Sequence, residues 1–251
     1  MVGEVPIDVV TFEAALEAIE RLVAAKKGGY VVTPNIDHVV LADDNVAFRD
    51  SYRDASLSLV DGKVLLWASW ILGHPLPDKI SGSDLIFPLM EMAAKKKWRV
   101  YFMGAASGVA QKAAQAIFER YGTQVVGCDA PQVSVDPDAR QNAEALEKIR
   151  EAKPDVLLVA LGAPKQEIWM HRCAAQYAPA VALGIGAGLD FIAGTAKRAP
   201  KWMSNSGLEW AHRLAREPRR MWRRYLVNDP RFLLILARTM QKPSAQRLVW
   251  R

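Results

Sequence analysis

The chain has 251 residues, 51% hydrophobic and 24% charged, which suits one large globular domain and excludes a disordered or fibrous protein. Its net charge is +6, but residues 208–251 carry eleven Lys and Arg against three Asp and Glu, a local +8 that leaves the first 207 residues at −2. Only two cysteines are present, Cys128 and Cys173, with no ligand-like spacing, and no apolar run approaches the ~18–20 residues needed to span a bilayer.

The N-terminus, MVGEVPIDVV, has neither the basic start nor the apolar block of a signal peptide, which predicts a cytoplasmic protein. TFEAALEAIERLVAAKK places Phe12, Leu16, Ile19, Leu22 and Val23 on one helical face. YVVTP reads as a short buried strand ending at Pro34, and a helix follows through the forties. LSLV is a second strand running into Asp61-Gly62, and SDLIFPLMEMAAKKK is a helix with a polar start and a lysine-rich end.

RVYFMG, QVVGC, DVLLVAL and AVALGIG continue the strands. SGVAQKAAQAIFERYG, DPDARQNAEALEKIREA and PKQEIWMHRCAAQ are the helices between them. For the second of these, the pattern puts Asp136 or Asp138 at the helix cap and Pro137 in its first turn. Strands alternating with helices of this length predict a doubly wound, Rossmann-like α/β domain with a parallel sheet over residues 1–207. After Pro200 the pattern is purely helical, broken at Glu217-Pro218 and Asp229-Pro230, so residues 208–251 read as a basic helical appendage.

Ligands of such sheets gather at the carboxyl ends of the strands. Thr33, Asn35, Asp61, Gly104, Gly162, Gln166, Gly186 and Asp190 all fall there. Asn35 either faces a ligand or caps the next helix. Asp61 is either a general base or half of an Asp-Gly turn. The small residues of FMGAASG precede a helix N-terminus that would favour a phosphate, although no Walker lysine follows. LGIGAGLDF lacks the third glycine of a dinucleotide fingerprint, which argues against a nicotinamide-dependent oxidoreductase. His38, His74, His171 and His212 have no metal-ligand spacing, so neither a metal nor another cofactor is predicted.

In the appendage, Trp210, Trp222 and Tyr225 lie among arginines, a mixture suited to a lipid–water boundary or to phosphate. RFLLILAR adds an apolar block too short to span a membrane but able to lie on one. A basic-aromatic tail also raises a nucleic-acid-binding reading, which the near-neutral body and its strand-end polar residues disfavour.

TPNIDHV, VDGK, ISGSDL, YFMGAASGVAQKA, LGAPKQEIW, GIGAGLDFIAGTAKRAP and GLEWAHRLAREPRRMWRRY occur in an order and spacing that resemble the WecG/TagA/CpsF glycosyltransferases, over roughly residues 30 to 228. The resemblance implies inverting, metal-independent transfer of a sugar from a UDP-sugar to a lipid-diphosphate-linked sugar. Most often this is N-acetylmannosamine onto undecaprenyl-diphosphate-N-acetylglucosamine; some relatives transfer hexoses in exopolysaccharide assembly. It implies Asp61 as general base; Thr33, Asn35 and Lys79 at the sugar and acceptor; and Gln166 and Asp190 at the donor nucleotide. Arg213, Arg220 and Arg223 would then fold over the site and hold diphosphate at the inner face of the cell membrane, against an anionic leaflet. Two positions depart from the family pattern. Lys79 stands where many relatives have arginine, and Thr195 where some have an acid. Alanine-rich and tryptophan-bearing helical faces permit a homo-oligomer.

Overall fold

The computed structural model describes residues 1–242; the stretch beyond, which includes Arg247 and Arg251 of the basic tail, lies outside the described residues. Six strands, β1 (Gly29–Val32), β2 (Leu57–Ser58), β3 (Val100–Gly104), β4 (Val125–Asp129), β5 (Val156–Ala160) and β6 (Val181–Gly184), form one sheet in the order β2-β1-β6-β5-β3-β4. Every pairing is parallel. The doubly wound expectation is met.

Strand side chains alternate with period two, so the central strands β1, β3, β5 and β6 feed two cores. Tyr30, Val32, Tyr101, Met103, Leu157, Val159 and Ala182 enter one core; Val31, Val100, Phe102, Val156, Leu158, Val181 and Leu183 enter the other. The second core is covered by α1 (Phe12–Ala25), which buries Ala15, Ile19 and Val23 at four-residue intervals. Thr11 caps that helix, its Oγ1 accepting from Ala14 N–H at 3.2 Å.

The first core is covered in part by α2 (Ile36–Asp44) and α3 (Val46–Arg53), between which Asn45 caps α3 by accepting from Phe48 N–H at 3.0 Å. Next comes α4 (Lys63–Ile71), a helix that periodicity does not mark: it starts directly after Asp61-Gly62, and KVLLWASWI is apolar nearly all round. The second core is completed by α5 (Gly82–Lys96) and α6 (Val109–Tyr121), the latter closed by Gly122 at φ +70°.

The next helix, α7, runs from Arg140 to Ala152, one turn later than its sequence suggests. Neither Asp136 nor Asp138 caps it. Buried Asn142 captures the preceding loop instead, its Oδ1 accepting from Ser134 N–H at 3.0 Å and its amide donating to Ser134 O at 3.1 Å. Asp136 Oδ1 is left to accept from Asp138 N–H at 3.2 Å. Then follow α8 (Lys165–Arg172), α9 (Ala174–Tyr177), α10 (Gly188–Ile192), α11 (Lys201–Asn205), α12 (Glu209–Arg216) and α13 (Pro218–Arg223), a π-helical turn (Arg224–Asn228) and α14 (Arg231–Gln241). Among the described residues no helix is long and apolar enough to cross a membrane.

The RFLLILAR block does not lie wholly on the surface. Phe232, Ile235 and Leu236 of α14 are buried in the first core, while Leu233 and Leu234 face outward. Arg231 forms a two-pronged pair with Asp44 at 2.7 and 2.9 Å, Lys242 reaches Glu4 at 2.9 Å, and Gly3 N–H donates to Thr239 Oγ1 at 3.1 Å. We therefore propose that α14 is a structural part of the α/β body. Phe232→Ala is expected to cost ~3–4 kcal/mol of stability while Leu233→Ala stays within ~0.5 kcal/mol, read as shifts of the denaturant midpoint. Equal effects from the two would detach α14 from the body.

Candidate active site

The carboxyl ends of β1, β2, β5 and β6 open into a cleft of about 590 Å³, roofed by α12, α13 and the π-helical turn. Thr33, Asn35, Asp61, Gly162, Gln166, Gly186 and Asp190 all line it, together with Arg213 and Arg220 from the roof. A second, smaller cavity of about 100 Å³ lies between α4 and the roof, and Lys79 lines that one. Asp61 and Arg213 line both.

Asp61 is held by its backbone, whose N–H donates to Pro34 O at 2.8 Å, and Gly62 at φ +99° turns the chain into α4. Its carboxyl makes no side-chain hydrogen bond among the described residues. Burial pushes its pKa up to about 6, Glu209 adds to the rise, and Lys79 and Arg213 pull it back. A carboxylate of that kind, open to a cleft and without a fixed partner, is placed to accept a proton.

Asn35 caps the next helix and also lines the cleft. Its Oδ1 accepts from His38 N–H at 3.3 Å, capping α2, and also faces Arg224 Nη2 at 3.4 Å across the cleft. Gln166 is fixed on two sides: its Oε1 accepts from Gly186 N–H at 3.1 Å and its Nε2 donates to Glu167 Oε1 at 2.9 Å. Gly184 makes room for it, since a Cβ there would stand 2.4 Å from Gln166 Nε2. Asp190 accepts from Thr195 Oγ1 at 3.1 Å, so the threonine orients a cleft carboxylate.

Lys79 pairs with Asp84 at 3.1 Å and donates to Ser204 Oγ at 3.3 Å, linking α5 to α11 beside Asp61. Arg198, from the loop before α11, also pairs with Asp84 and donates to Ser83 Oγ at 3.0 Å. Two expected site residues lie elsewhere. Gly104 is outside both cavities, and its glycine has a packing reason: at φ +103° a Cβ would meet Ala160 O at 2.4 Å. Arg223 is also outside both, with its guanidinium 5.6 Å from the Trp222 ring centroid.

The roof contributes Arg224 instead, which lines both cavities and forms an ion pair with buried Asp37 at 3.3 Å. A group of buried ionisable side chains surrounds that pair. Burial, with Asp37 adding, raises Asp229 to about 7 against the pull of Arg224, and among the described residues neither of its carboxyl oxygens has a hydrogen-bond partner. Burial likewise raises Glu167 to about 7, and among the described residues its Oε2 is unpartnered. His38, 2.7 Å from the Tyr52 hydroxyl, is lowered to about 3 by burial and by Arg224, so it is neutral. Sequence reading missed Asp37, Glu167, Arg224 and Asp229. TPNIDHV and PKQE contain the first two, but nothing in a linear pattern marks a charge as buried.

Among the described residues no group of His, Cys, Asp and Glu is arranged to hold a metal ion. Positive charge at the cleft comes mainly from guanidinium groups, since Arg213, Arg216, Arg220 and Arg224 all line it, with the ammonium of Lys197 beside them. Such an arrangement can take a proton at Asp61 and steady an anion beside it.

A curated relative from Bacillus spizizenii is 34% identical over 201 residues, 80% of this chain and 76% of its own; it is named N-acetylglucosaminyldiphosphoundecaprenol N-acetyl-beta-D-mannosaminyltransferase. Relatives of the same name from Bacillus subtilis and Staphylococcus aureus are 30% identical (83% of this chain, 79% of theirs) and 28% identical (85% and 81%). The profile of the WecG/TagA/CpsF glycosyl transferase family matches residues 1–246. By these matches the chain belongs to the WecG/TagA/CpsF family of glycosyltransferases.

Proposed function

We propose that the protein transfers N-acetylmannosamine from a UDP-sugar to undecaprenyl-diphosphate-linked N-acetylglucosamine, with inversion and without a metal ion, at the inner face of the cell membrane. The observation that carries this reading is the position of Asp61, shared by a large polar cleft and a smaller cavity, in a chain whose relatives bear that activity in their names. Asp61 takes the proton of the acceptor hydroxyl as the oxygen attacks the anomeric carbon. The bond from that carbon to the donor's diphosphate breaks, and UDP leaves with the electron pair. Arg213 and Arg220 steady the charge gathering on the diphosphate, and Gln166 and Asp190 orient the nucleotide.

Arginine pairing favours a small anionic ligand over a nucleic acid. Arg224, Arg231 and Arg238 are engaged with Asp37, Asp44 and Asp43 of the body, which shortens any exposed basic track. A family member that transfers another hexose is the second reading, left open because the lysine at position 79 carries charge without the bidentate fork of an arginine.

The test is a donor screen. Purified protein, a panel of UDP-sugars and a synthetic lipid-diphosphate acceptor are combined with EDTA present, and released UDP and the glycolipid are measured. UDP release with N-acetylmannosamine donor and N-acetylglucosamine acceptor supports the proposal. Turnover only with another UDP-hexose moves the protein to the second reading, and activity abolished by EDTA and restored by magnesium or manganese removes the metal-free mechanism.

A further inference from the structure

The proposed chemistry leaves the outer face of α4 without a task. Its inner face buries Leu65, Leu66, Ala68 and Ser69, while Trp67, Trp70 and Ile71, spaced i, i+3, i+4, are 48%, 67% and 58% exposed. Trp70 and Ile71 are thus large apolar side chains turned mostly to the outside of the helix. The Trp67 ring reaches the turn between α11 and α12, where a Cβ on Gly207 would stand 2.8 Å from it, and around that turn Trp202 and Trp210 are exposed as well. The apolar surface thus joins the α/β body to the roof.

The smaller cavity is built on these same two segments. Val64 and Leu65 of α4 face Trp210 and Tyr225 across it, and it reaches Asp61. Tryptophan is the side chain that settles at the boundary between lipid and water. The neighbouring roof exposes Arg219 and Arg223, which line neither cavity and complement an anionic lipid surface. Composition, charge and continuity with the reaction centre select a bilayer as the occupant.

We propose that α4 is a membrane-facing surface of the body, seating Trp70 and Ile71 in the interfacial layer of an anionic bilayer. The smaller cavity is then the route by which a lipid-linked acceptor reaches Asp61, while the donor uses the large polar cleft. The inference rests on the transferase reading for the identity of the acceptor, but not for membrane contact itself.

The experiment compares the wild-type protein with Trp70→Ser/Ile71→Ser by cosedimentation with acceptor-free phosphatidylglycerol-containing vesicles and by transfer to two acceptors. One acceptor is embedded in vesicles, and the other is water-soluble with a shortened lipid chain. Vesicle partitioning and transfer to the embedded acceptor are expected to fall about tenfold together, while transfer to the soluble acceptor and thermal unfolding stay unchanged. Restoration of vesicle binding by Trp70→Phe/Ile71→Leu confirms that apolar character is what matters. Unchanged vesicle binding overturns the proposal, and so does an equal loss with the soluble acceptor, which would mean that α4 acts on the site. If the wild type is a dimer in sedimentation equilibrium that the substitutions split without altering vesicle affinity, the face joins two copies and the proposal fails. The acceptor-free vesicle measurement needs no turnover, so failure of the transferase reading is told apart from failure of this one.

Discussion

Asp61→Asn is expected to fold normally and to lose about a thousandfold in turnover, the size of effect associated with removing a positioned base. Asparagine keeps the shape and cannot take the proton. In the wild type the base must be ionised, so transfer should rise with pH through about 6, where burial and Glu209 place the Asp61 titration, and level off above it. The same shift has a stability signature. The folded protein holds the Asp61 proton at pH values where the unfolded chain, near 3.8, has released it. Folding stability is therefore lost as pH rises from about 4 to about 6, and Asp61→Asn removes that loss. The variant should melt at a higher temperature than wild type at pH 8 and at nearly the same temperature at pH 4. Wild-type turnover in the asparagine variant would take Asp61 out of the mechanism.

Arg213→Met is expected to lower kcat by roughly 100- to 1000-fold, comparable to losing one donor that stabilises transition-state charge. Arg213 lines both cavities and holds Glu209, and it is one of the two cations that pull the Asp61 titration down. Its loss should therefore also move the acidic limb of the pH–rate profile to higher pH, a displacement that a purely structural defect does not produce. Arg223→Met provides the contrast, because its guanidinium rests beside Trp222 outside both cavities. It should change kcat by less than about threefold, since it removes no donor from the reaction centre. Equal losses at the two positions would mean that the roof rearranges before chemistry.

Much of the fold was legible because its strands are short apolar runs between helices with clear ends. Gly122 after Tyr121 is a terminator that a linear reading recognises, whereas α5 is capped by Ser81, two residues before the Ser83-Asp84 start that the sequence suggests. Where side chains act at a distance, the pattern failed. Asp136 and Asp138 looked like caps, but Asn142 from within the helix took over the loop. KVLLWASWI was unreadable for the opposite reason, since its apolar residues serve two surroundings, a core and an outer surface. The strand-end rule found Asp61, Gln166 and Asp190, whose positions follow from the sheet. It could not find Arg224 and Asp37, which meet only because the π-helical turn brings residue 224 back over α2. The count of basic residues likewise overstated the charge on offer, because acids of the body neutralise several tail arginines.

Residues 200–230 are fastened at both extremities. On one side Arg198 grips Asp84, and on the other α14 sinks Phe232, Ile235 and Leu236 among the residues of the main core. A strap pinned twice cannot swing away like a door on one hinge; it can only arch or slacken in its middle. Substrates must then come and go through gaps beside the strap, and stiffening its centre should slow every turnover even with all reacting groups intact.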